Sequence, residues 1–199
     1  MFQTNNNKDR VNYGEMMLPP AGYVLERAVG TTYSLDLEAL TAIAITLGLK
    51  EDTDSELLHN PISMLNALQK VSEKILVFCE AGQIKVPGNP SPLSVLLEKI
   101  VIPVALPKTR GLNGYPAFHP KTWILQYINP DGKRKYKFAV LSRNLTFDRS
   151  WDISMCMDSC EDEDQSEKTE PLIDFLSFLR GQIKNTVTDA GKKRNILKK

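Results

Sequence analysis

Histidine is scarce in this chain: among 199 residues there are two, His59 and His119. Cysteine is almost as rare, and Cys79, Cys156 and Cys160 form no Cys-x-x-Cys pair. With so few ligands of either kind, a zinc site is not expected, and no metal or other cofactor is assigned. Charge of one sign is missing too. Lys and Arg number 25 against 24 Asp and Glu, a formal net charge of +1. That balance argues against a wholesale polyanion binder and leaves room for a local basic patch. No apolar run approaches the roughly 20 residues that a membrane-spanning helix needs. The opening stretch "MFQTNNNKDRVNYGE" is polar and lacks the apolar core of a signal peptide. The expected setting is the cytoplasm, without a membrane partner.

What is present is an ordinary globular composition, 42% hydrophobic and 25% charged, enough for one α/β domain with a real core. Residues 1–20 are polar, end in Pro19-Pro20, and read as a frayed or loosely docked arm. Residues 21–185 hold the periodic segments. Val24 to Ser34 is β-branched and aromatic enough for strands. From Leu35 the spacing Leu37, Leu40, Ala44, Leu47 is helical, with Asp36 as a plausible N-cap. "ISMLNALQKVS" predicts an amphipathic helix, "KILVFC" a strand that buries Cys79 as a reduced thiol, "LSVLLEKI" a helix and "VIPVAL" a strand. Two apolar runs, 117–128 and 136–142, flank turn chemistry at Pro130-Asp131-Gly132 and predict a hairpin. "WDISMCMD" predicts a further strand. The acidic stretch "SCEDEDQSEKTE" reads as a solvated linker before a helix that starts near Pro171. Residues 186–199 read as a basic tail that starts a further segment of a longer protein. Strands alternating with helices give an α/β class, and the hairpin makes the central sheet mixed, with helices flanking it.

Chemistry concentrates in "FHPKTW", "VLSRNLT" and "FDRSWDIS". Residues i and i+2 of a strand share a face, so His119 and Lys121 are expected to point into one site. The hairpin's strands are antiparallel, so the start of the first lies beside the end of the second, and Ser142 and Asn144 should fall close to them. An imidazole is a competent nucleophile toward phosphorus. Lysine, carboxamide and hydroxyl groups can all donate to non-bridging phosphate oxygens. Arg143, Arg149 and Asp152 read equally well as structural or surface charges. Trp123 and Trp151 read as core aromatics, and "KRKYK" as a solvated hairpin tip.

"HPK" followed two strands on by "SRNLT" resembles the phospholipase D superfamily, whose signature is a His-x-Lys step and a downstream Ser-x-Asn step. "GTTYSLDLEAL" and "FAVLSRNLTFDRSWDISM" resemble bacterial phospholipase D-like proteins of DNA processing and defence. The resemblance covers most of residues 22–180. It implies an α/β/α sandwich and a metal-independent phosphodiesterase acting on DNA. His119 would attack phosphorus, Lys121 and Asn144 would hold phosphate oxygens, and Ser142, Arg143 and Thr146 would contact substrate. Gln126 stands where the family has its usual acid, which weakens the lipase reading more than the nuclease reading. Asp152 is a candidate acid to orient a histidine. The family's chemistry uses two histidines, and His59 lacks the partner lysine. The resemblance therefore implies a second His-x-Lys from a homodimer mate or from sequence beyond Lys199. The competing reading is an idle module of the same type that binds nucleic acid or scaffolds a larger complex.

Overall fold

A computed structural model describes residues 16–49, 61–88, 96–108, 114, 116–147, 152–159, 166–184 and 189–197. The fold is α/β, built on a six-stranded mixed sheet in the order β5-β3-β1-β6-β7-β8. Strands β1 (Val24–Thr32), β3 (Ile75–Glu80) and β5 (Val101–Val104) are mutually parallel. Strands β6 (Thr122–Ile128), β7 (Arg134–Leu141) and β8 (Ser154–Asp158) continue the sheet antiparallel from β1. Parallel neighbours need long crossovers. Helices α1 (Leu37–Leu49) and α2 (Pro61–Ser72) belong to the crossover from β1 to β3. Two short strands, β2 (Leu35–Asp36) and β4 (Ile84–Lys85), pair beside the main sheet.

The inner strands are apolar on both faces, as central strands covered on both sides must be. Ile75, Val77 and Cys79 of β3 enter a core with Leu40, Ala44 and Leu47 of α1 and Leu68 and Val71 of α2. Leu76 and Phe78 enter a second core with Leu179 of α3 (Ser166–Gln182) and Leu197 beyond α4 (Ala190–Ile196). Helices therefore cover opposite faces of the sheet. In β1, Leu25 and Ala28 share the first core although they are three residues apart. The register against β6 slips between Leu25 and Arg27. The extra residue, Glu26, makes a bulge that resets the alternation. Its carboxylate accepts from Arg134 Nε at 2.7 Å and from Arg134 Nη2 at 2.9 Å, tying the bulge to β7.

Gly30 pairs with Trp123 across β1 and β6. A Cβ at Gly30 would lie 2.7 Å from the indole Cη2, so only a bare Cα lets the ring lie over the strand. At the hairpin, Gly132 takes φ +80° and donates to the Asn129 carbonyl at 3.0 Å, while Asn129 Oδ1 accepts from Lys133 N at 2.7 Å. The expected turn forms through these contacts. Asp36 also acts as expected at the start of α1, accepting from Glu38 N at 3.0 Å.

Three segments differ from the sequence reading. Met16 and Met17, expected in a loose arm, are buried in the first core, and the Met17 carbonyl accepts from the Tyr127 hydroxyl at 2.9 Å. Helix α3 begins at Ser166, so Pro171 lies inside it and not in the first turn. Residues 190–196, read as tail, form a helix whose Ala190 and Ile196 pack on the second core. No helix among the described residues is long and apolar enough to cross a membrane.

Candidate active site

Strand directions decide where the candidate residues go. The ends of β1, β3 and β7 and the starts of β6 and β8 meet at one edge of the sheet. His119 and Lys121 precede β6 there, Ser142 to Thr146 follow β7, and Asp152 precedes β8. His119 and Lys121 thus lie in the approach to the strand and not within it. Their side chains still converge: Lys121 Nζ is 2.8 Å from His119 Nδ1 and 3.4 Å from Nε2. His119 is exposed, and its ring lies against Tyr33, with centroids 4.9 Å apart and the planes tilted by 37°.

An ammonium has hydrogens to give and no lone pair to offer. Lys121 therefore donates to Nδ1, and a neutral ring in this pose carries its proton on Nε2. The imidazole lone pair is engaged by the lysine. Burial of the amine lowers the Lys121 pKa from its usual value, because desolvation disfavours its charge. An arriving anion would offer that ammonium a stronger partner than the ring nitrogen.

The segment carrying these groups is pinned from below. Phe118 N donates to Glu80 Oε2 at 2.6 Å, so the carboxylate at the end of β3 fixes the residue before the histidine. Thr122, just after the lysine, donates its N–H to Thr31 Oγ1 at 3.0 Å, and the two hydroxyls lie 2.9 Å apart in a buried pair.

On the other wall, Asn144 Oδ1 accepts from Ser34 N at 3.4 Å, one residue from the tyrosine that touches His119. That contact leaves the amide NH2 as the donor the carboxamide can present to an anion. Thr32 Oγ1 accepts from Leu145 N at 3.0 Å and donates to the Ser34 carbonyl at 2.8 Å. Leu145 is buried and bridges to Leu35. The stretches "GTTYSLDLEAL" and "LSRNLT" are therefore stitched together beside His119.

Asp152 and Ser142 take roles other than those expected. Asp152 Oδ1 accepts from Ser142 Oγ at 2.6 Å, Ser142 N at 3.1 Å and Arg143 N at 3.2 Å. The carboxylate organises the turn after β7, and its hydrogen bonds among the described residues go to Ser142 and Arg143. Ser142 gives its hydroxyl proton to Asp152 and accepts from Ile153 N at 2.9 Å, so its hydroxyl is built into that turn. Arg143 and Thr146 are half-buried, and Thr146 N donates to the Asn144 carbonyl at 2.9 Å. His59, Asp148, Arg149 and Trp151 lie outside the described residues.

Sequence reasoning missed Tyr33, Thr32 and Glu80. Each acts through a contact more than thirty residues away along the chain, and no local motif marks such a contact. Among the described residues, no group of His, Cys, Asp and Glu gathers to hold a metal ion. No family model matches the chain, and comparison with curated proteins finds no match.

Proposed function

We propose that this protein is a phosphodiesterase of the phospholipase D type, acting on DNA in the cytoplasm in prokaryotic defence or DNA processing. The observation that carries the reading is the 2.8 Å approach of Lys121 Nζ to the ring of exposed His119, beside a wall that includes Asn144. Binding of a phosphodiester draws Lys121 onto a non-bridging oxygen and releases the imidazole lone pair. The ring nitrogen then bonds to phosphorus as the bond to the leaving oxygen breaks. The electron pair goes to that oxygen, which takes up a proton. Water opens the resulting phosphohistidine. The proton donor is a second histidine, from a homodimer mate or from sequence beyond Lys199. Asn144 steadies the phosphate, and Asp152 holds the turn that places it.

A binding module without turnover is the second reading. It is favoured by two observations: the lysine engages the histidine's lone pair, and the Ser142 hydroxyl is committed to Asp152. Incubation with labelled single- and double-stranded DNA in EDTA separates the two. Cleavage that survives EDTA and falls by about 10³-fold or more in His119→Ala supports the enzyme. Binding without cleavage supports the module, and full activity in both His119→Ala and Lys121→Ala would dismiss the proposed site.

A further inference from the structure

Strand β8 ends the sheet, and its outer edge has no partner among the described residues. Two hydrogen bonds fix which of its backbone groups face outward. Ser142 N donates to the Ile153 carbonyl at 3.0 Å, and Ser159 N donates to the Tyr136 carbonyl at 2.8 Å. Residues 153 and 159 thus turn their main-chain groups inward, to β7. Alternation along an antiparallel ladder then assigns Met155 and Met157 inward, and Ser154, Cys156 and Asp158 outward. The outward set is symmetric about Cys156.

That symmetry makes the edge complementary to itself. An antiparallel copy centred on Cys156 sets Cys156 opposite Cys156 and Ser154 opposite Asp158, closing about six main-chain hydrogen bonds. A hydroxyl then faces a carboxylate at each end. On one sheet face the pairing also sets Met155 beside the other copy's Met157. Ile153, Met155 and Met157 are 80%, 54% and 45% exposed in the single chain, a continuous apolar stripe along a strand that, among the described residues, pairs with β7 alone. Natural edge strands are usually blunted by charge, proline or a bulge; β8 has no lysine, proline or bulge, and its one charge, Asp158, would face the other copy's Ser154.

We propose that two copies of this chain pair through β8, forming a continuous twelve-stranded sheet across a two-fold axis at Cys156. A pair of five-residue strands covers less area than a permanent dimer requires, so the association is weak and concentration-dependent. It is separate from the His119 site. Strands β6 of the two copies stand five strand spacings apart, about 24 Å, so this pairing does not bring the two histidines together.

Hydrogen-bonded antiparallel partners have Cα atoms about 5.5 Å apart, within the range a disulfide spans. The test is cross-linking with diamide, which oxidises two thiols to one disulfide and takes up the two protons and two electrons. The background is Cys160→Ser, and sedimentation velocity across the micromolar range accompanies it. The expected result is a covalent dimer on a non-reducing gel that disappears in Cys156→Ser. In that double background, Ser154→Cys alone should not cross-link, whereas Ser154→Cys with Asp158→Cys should. Cys156→Lys, which sets two ammonium groups opposite each other, should abolish the Ser154→Cys with Asp158→Cys cross-link while the chain stays folded. A wild-type chain that stays monomeric throughout and forms no disulfide overturns the proposal. So does a cross-link between Ser154→Cys and Asp158→Cys that survives when lysine replaces Cys156. Dimer with cross-linking of Ser154→Cys alone would overturn the register.

Discussion

Gly30→Ala is a sharp test of how the sheet carries the site, because two opposed effects can each be sized. A Cβ at residue 30 would lie 2.7 Å from Trp123 Cη2 and 2.9 Å from both Cζ2 and Cζ3. Trp123 is 1% exposed and closed in by the first core, so the ring has little room to withdraw. Overpacking of this kind costs about 1–3 kcal/mol. Against it stands the gain from a stiffer unfolded chain, about 0.4–1 kcal/mol where the native backbone suits alanine. The clash should win, and for a chain of this size the net loss lowers the melting temperature by a few degrees, at most about 10 °C. The three crowding atoms belong to the six-membered ring of the indole. Trp123→Phe sets a smaller ring there and relieves the crowding. In that background Gly30→Ala should become neutral or stabilising, with a coupling of about 0.5–3 kcal/mol in a double-mutant cycle. Urea denaturation of the four proteins measures it. If Gly30→Ala stabilises the parent chain, or costs the same in both backgrounds, the ring does not lie over Gly30 and the account of β1 against β6 fails.

Thr31→Val leaves the Thr122 N–H and hydroxyl without their buried partner and should cost about 1–3 kcal/mol in urea denaturation, whereas Thr31→Ser should restore most of it. Asp152→Ala removes the acceptor of Ser142 Oγ and Arg143 N, while Ser142 N keeps the Ile153 carbonyl; at this solvent-facing turn a loss of about 1 kcal/mol is expected and, under the proposed function, weaker DNA binding as the 142–144 turn loosens. Burial pushes the Cys79 thiol up to about 11. An unfolded thiol ionises first as pH rises, so Cys79 adds stability below about pH 9 that is lost between there and pH 11, roughly 2–3 kcal/mol in all. A Cys79→Ala chain should show a flatter stability curve over that window; an equally steep one would assign the slope to other groups. In the folded protein, exposed Cys156 should react with an aromatic disulfide reagent at pH 8, and Cys79 only on unfolding.

Local pattern carried much of the fold. Short apolar runs mark β3 and β6, the Pro130-Asp131-Gly132 turn joins β6 to β7, and Asp36 caps α1, because each depends on neighbours within a few residues. The same holds for the pairing of His119 with Lys121, two residues apart. Packing overruled local signals elsewhere. Pro171 looks like a helix start, yet α3 runs through it, packing Leu179 on the second core. Polarity made Met16 and Met17 look part of a loose arm, but the Met17 carbonyl receives the buried Tyr127 hydroxyl, and a buried phenol needs such an acceptor.

The chain by itself determined its α/β alternation, its mixed sheet and the closeness of one imidazole to one ammonium, since these follow from spacing along the backbone. Only the tertiary structure decided that Glu80 anchors Phe118, that Thr32 and Ser34 receive the Asn144–Leu145 segment, and that Asp152 serves a turn. Those partners lie at the ends of different strands or in the segments that flank them. A hydrogen bond between such segments depends on which ends of the sheet meet, and that is settled by burying both faces of the sheet together.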